Sequence, residues 1–206
     1  MSISYPLTLP VATMGYAEFQ IGPRSAVGVS KSPFTGEAQV YAHAGMWWEA
    51  VLTLPQMTRA QAEVWLAILV SLNGREGTFL AGDPLGATAR GALGGTPLVN
   101  GGSQTGRTLA IDGASNSITG WAKAGDWMQL GTGSSTHLHK IVADANSNGS
   151  GQVSLEIWPA LRSSPADNAT VTMASTVGIW RLKDSFSWTL RDIQVGGISI
   201  DCEEAL

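Results

Sequence analysis

Leu54-Pro55-Gln56-Met57-Thr58-Arg59-Ala60-Gln61-Ala62-Glu63-Val64-Trp65-Leu66-Ala67-Ile68-Leu69-Val70-Ser71-Leu72-Asn73-Gly74 reads as an amphipathic helix over about 58–73. Thr58 suits the N-cap, whose side-chain oxygen accepts from amides that the first turn leaves free, and Glu63 suits the positive end of the helix dipole. Trp65, Leu69 and Leu72 recur at three- and four-residue spacing with Ile68 beside them, so one face is apolar and Trp65 is a core residue. Asn73-Gly74 ends the helix, because both residues accept a left-handed backbone. The rest of the chain is short strands and glycine turns. A mainly β protein with one helix is expected.

Only 14% of the 206 residues are charged, well below the usual quarter, which suits a surface partly covered by other chains. A net charge of −4 without a Lys/Arg stripe argues against a nucleic-acid groove. Cys202 is the only cysteine, so no intrachain disulfide can form, and synthesis in a reducing cytoplasm fits. Met1 to Leu7 lacks the basic and apolar regions of a secretion signal. The longest apolar run, Val64 to Val70, is too short for the roughly 20 residues of a membrane helix. Membrane insertion is not expected.

Residues 1–55 read as strands, with Ala38–His43 leading to a second run, 47–54, in which Trp48, Ala50, Leu52 and Leu54 share one side. Gly77–Ala81 is a short strand closed by Gly82-Asp83-Pro84. From Leu85 to about Val177 glycine and small polar residues recur every few positions, the rhythm of a small barrel or sandwich. Strands are expected over 107–112, 127–131, 137–143, 152–158 and 170–174, and the glycine-rich loop 86–106 is expected to be mobile. Longer strands return over 178–182 and 186–201, with Trp180, Phe186, Trp188, Ile193, Ile198 and Ile200. These last strands are too few to stand alone. The expected architecture is an outer β-sandwich-like domain with one helix, 1–84 and 178–206, interrupted by an inserted small β-barrel or β-sandwich domain, 85–177.

Trp47-Trp48-Glu49 with Leu52 and Pro55, the helix around Trp65, and Leu72-Asn73-Gly74-Arg75-Glu76-Gly77-Thr78-Phe79-Leu80 with Asp83-Pro84 resemble distal tail or baseplate-ring proteins of long-tailed bacteriophages. So do Val99-Asn100-Gly101 and Gln104-Thr105-Gly106-Arg107-Thr108-Leu109. Ala124-Gly125-Asp126-Trp127, the run 142–151, Val153–Ile157 and Pro159-Ala160-Leu161-Arg162 are similar to small β-barrel domains of phage virion proteins. The resemblance implies a homo-oligomeric, ring-forming virion protein, in that family usually a hexamer, at the tail tip. Its partners would be the tail tube protein and the tail hub or tip proteins. It carries over no catalytic residues.

The residues themselves offer little chemistry. Gly101 to Thr108 imitates a phosphate loop, but arginine replaces the required lysine and a strand follows where a helix is needed. Asp144-Ala145-Asn146-Ser147-Asn148-Gly149 opens like a calcium loop, but the twelfth position is Leu155 and Glu156 comes one residue late, so a polar hairpin turn is preferred. His137 and His139 share one face of a strand without further ligands nearby and read as exposed strand histidines. No Gly-x-Ser-x-Gly elbow is present, and Asp83, Asp126 and Glu156 read as turn and strand-surface residues. No catalytic residue, cofactor or metal is assigned.

Trp121, Trp127 and Trp158 remain. Tryptophan faces serve sugar-binding modules as stacking platforms, and they also fill cores and anchor interfaces. For Trp121 and Trp127 packing or subunit contact is preferred over glycan stacking. The expected function is therefore structural and non-enzymatic, a distal tail ring or adaptor. The alternative is a carbohydrate-binding or host-adhesion module that contacts a host glycan.

Overall fold

The computed structural model describes residues 3–12, 14–191 and 194–206. The amino-terminal Met1-Ser2 and the strand residue Ile193 lie outside them. The first half holds β1 (Leu7–Thr8), β2 (Glu18–Lys31), β3 (Ala38–Thr53), β4 (Met57–Thr58), α1 (Arg59–Ser71) and β5 (Thr78–Ala81). Then come β6 (Gly95–Val99), β7 (Gly106–Ala114), β8 (Trp127–Leu130), β9 (His137–Ile141), β10 (Val153–Leu161) and β11 (Val171–Thr172). The chain closes with β12 (Gly178–Leu182), β13 (Thr189–Arg191), β14 (Gln194–Gly196) and β15 (Ser199–Glu204). The protein is mainly β, with one α-helix among the described residues.

One six-stranded sheet runs β1-β5-β12-β15-β3-β2 and draws its strands from both ends of the chain. Alternation decides its inner face: Trp48, Ala50 and Leu52 are buried, and Ile200 and Cys202 sit opposite Leu52 and Ala50 across the β3–β15 ladder. A second layer covers that face. It comprises α1 and a three-stranded sheet, β13-β14-β4. Ala62, Trp65, Leu66 and Leu69 of α1 join the same core as Met57 and Val195. Tyr16 meets the Trp65 ring edge-on at 6.0 Å.

The second six-stranded sheet runs β11-β8-β9-β10-β7-β6. Its two edges meet through the Leu98–Thr170 bridge and through Val99, whose amide donates to Ala169 and whose carbonyl accepts from Asn168, both at 2.9 Å. The result is a nearly closed barrel. Val153, Leu155 and Ile157 point inward between exposed Ser154 and Glu156, and join Val99, Leu109, Ile111, Trp121 and Met128 in a separate core.

Several expectations need correction. The helix spans Arg59–Ser71, with Leu72 as its C-cap and Asn73 and Gly74 both at positive φ (51° and 67°). Ile68 is partly buried and packs against the same core, and Leu66 and Ala62 widen the apolar face. Gln61 reaches back to cap Thr58, its Oε1 accepting from the Thr58 amide at 3.1 Å and hydroxyl at 2.9 Å. Glu63 lies beyond the first turn and pairs with Arg59 at 3.2 Å. The runs 38–43 and 47–54 form one continuous strand, whereas 186–201 breaks into short pieces. Loop 86–106 contains β6, and its first part makes close contacts. A Cβ on Gly91 would strike the Trp121 carbonyl oxygen, and one on Gly86 would strike the Trp127 indole.

Candidate functional site

The barrel meets the first sheet through indole rings. Trp48 of β3 lies edge-on to Trp127 of β8 at 5.0 Å and to Trp158 of β10 at 4.4 Å, and its Nε1 donates to the Leu138 carbonyl at 2.9 Å. Trp127 Nε1 donates to Asp83 Oδ2 at 2.9 Å, and the Lys140 ammonium stands 3.7 Å over the Trp127 ring. Burial lowers the Lys140 pKa, against the raising influence of Asp83 and Asp126. Arg162, just past β10, grips Glu204 at the end of β15 through two parallel hydrogen bonds of 2.8 and 2.7 Å. Arg162 also donates to the Met46 carbonyl, and Glu204 accepts from the Trp48 amide. The junction thus combines packed indole rings with a paired Arg–Glu clamp.

The three tryptophans singled out in the sequence are thus placed. Trp127 is 3% exposed and Trp158 half-buried, both at the junction. Trp121 is fully buried in the barrel core, its Nε1 donating to Gly94 at 3.0 Å. They do not converge on one face: two pack outward against the first sheet and one packs inward.

The exposed-histidine reading fails. His139 is 3% exposed, with Nδ1 donating to the Pro159 carbonyl at 2.9 Å, and burial pushes its pKa down to about 4. His137 is half-buried and also shifted down by burial. Both border a cavity of about 190 Å³ beside Arg162 and Leu161. Asp126 closes the Lys123–Asp126 turn as expected and is buried there: at 4% exposure it accepts from the amides of Arg90, Gly91 and Lys123 and pins the strap before β6. Its signal was the Gly125-Asp126 turn.

The calcium-like loop spends its oxygens internally. Asp144 binds Lys123 and the Ala124 amide, Asn146 accepts from Gly120, and Asn148 accepts from Ser150 and Gln152. In the phosphate-like loop Gln104 does the same, bonding Asn100, Gly101 and both backbone groups of Ala110. No cluster of three or more His, Cys, Asp or Glu side chains that could hold a metal occurs among the described residues.

Sequence reasoning missed the most exposed element. Beyond Met46, β3 has only β2 for a neighbour, and the two strands continue as a ribbon to Lys31 and Ala38. Val27 sits opposite Ala42, and Val29 opposite Val40, so these four share one face. Val27, Val29 and Val40 are 46%, 65% and 64% exposed, and Phe34 at the tip is 96% exposed. The signal was there: alternating Val27-Gly28-Val29 and Val40-Tyr41-Ala42 around Ser32-Pro33-Phe34-Thr35-Gly36.

Comparison with known families bears on the barrel. Residues 86–175 match the family model of distal tail protein pb9, B domain. This pb9 B-domain match covers β6 to β11 and a little under half of the chain, leaving the first sheet and α1 outside it. The match to the pb9 B domain supports the expected kinship with distal tail proteins of phages, a structural role in the phage tail and association with other tail proteins. No curated protein matches the chain.

Proposed function

We propose that this chain is a non-enzymatic ring subunit of the phage tail, a distal tail adaptor that joins the tail tube to the tail tip or baseplate. Residues 1–84 and 178–206 would form the ring-building domain, and 85–177 an inserted barrel that projects from it. The observation that carries the ring reading is the apolar ribbon 24–45. A two-stranded ribbon exposed on both faces buries too little to hold its shape unaided, and it gains stability when a neighbour covers it. A ring forms when one heterologous contact repeats around an axis until it closes. Six copies are the number that the family resemblance implies. The rigid junction of Trp48, Trp127, Trp158 and Arg162–Glu204 would then hold each barrel at a fixed angle to the ring.

Trp121, Trp127 and Trp158 serve packing in this reading, and no observation favours a glycan site over it. Light scattering across concentration, followed by imaging of single particles, tests the proposal. A discrete closed ring of six is expected. A monomer at every concentration would count against it.

A further inference from the structure

The ribbon is not the only apolar surface left open. Phe186, Trp188 and Leu190 alternate along the segment entering β13, which is the open edge of the three-stranded sheet. The Phe186 and Trp188 rings lie 6.0 Å apart, and Trp188 and Leu190 are 41% and 71% exposed. The charges at the two places are opposite. Lys31 faces the same way as Val29 and Val40, because it lies opposite Ala38 in the ladder. Asp184 precedes the aromatic pair. Among the described residues neither Lys31 nor Asp184 has an ion-pair partner.

We propose that the Val27/Val29/Val40 strip of one copy seats on the Trp188/Leu190 patch of a second copy, with Lys31 reaching Asp184. This rests on the reading that the chain assembles with itself, and it names the two surfaces that meet. The two patches differ, so the contact is head-to-tail and leaves each copy with one free strip and one free patch. That is the property from which closed rings are built. Opposite charges beside an apolar contact help to set its register.

The test mixes two full-length variants of different tag mass, Val29→Cys and Leu190→Cys, under mild oxidation. The native Cys202 is buried and will not compete. The expected product is a covalent dimer with one chain of each kind, while either variant alone stays uncrosslinked. A complementary charge swap reads the same contact. Lys31→Glu should weaken assembly by about tenfold, and adding Asp184→Lys should restore it. Unsubstituted protein that assembles by light scattering, while the mixed pair gives no crosslink, overturns the proposed surfaces and leaves self-assembly standing. Crosslinking by Val29→Cys alone would show strip meeting strip and would also overturn them. A monomer at every concentration removes the reading beneath both.

Discussion

Arg162 and Glu204 stand at the ends of β10 and β15, and their two parallel hydrogen bonds of 2.8 and 2.7 Å tie the barrel to the first sheet. The Glu204 side chain is 1% exposed. Its charge is therefore tolerable only while the guanidinium is there. Arg162→Ala is expected to cost about 3–5 kcal/mol, because it leaves a carboxylate buried with only the Trp48 amide to bind. Arg162→Met combined with Glu204→Leu should cost much less. Chemical denaturation of the three proteins checks the ordering.

Trp65 is fully buried between α1 and the sheets. Trp65→Ala is expected to lose about 3–5 kcal/mol through the cavity it leaves. Near-native thermal stability in that variant would contradict the placement of the helix.

His139 gives a pH dependence with a definite sign. The unfolded imidazole titrates near its ordinary 6.5, and the folded one near 4. The unfolded chain thus binds more protons between those values. The stability present above pH 6.5 is lost as pH falls towards 4, by about 3 kcal/mol in all. His139→Asn should flatten that part of the profile, which denaturant midpoints measured from pH 7 to pH 4 will show.

Gly91 sits against the Trp121 backbone where no Cβ fits. Gly91→Ala is expected to destabilise the barrel by about 1–3 kcal/mol. Hydrogen exchange at the barrel amides should then report loosening before the helix amides exchange.

What the sequence made legible follows periodicity. The helix, the inward face of β3 and nearly every barrel strand were visible because apolar residues recur at 3.6 or at 2. Where that signal was weak, reading went astray. In loop 86–106 glycine alone does not tell freedom from close approach: Gly86 and Gly91 meet neighbours a Cβ would strike, while Gly101 and Gly102 stand in open space. His139 reads as exposed only while polarity is equated with exposure; its hydrogen bond to Pro159 makes its burial tolerable. The Arg162–Glu204 clamp spans 42 positions, and no local pattern announces it. The ribbon escaped because its alternation faces away from any core in this chain.

Ala81 and Gly178 are paired neighbours on β5 and β12. The chain therefore leaves its first sheet and re-enters it through a single doorway, as if an ordinary hairpin turn had been opened to admit a whole barrel. Lengthening a loop costs little extra closure entropy, so a β5–β12 pair can form across an intervening segment this long at modest cost. The Ala81–Gly178 pair thus sets how close together the two ends of the intervening chain must return.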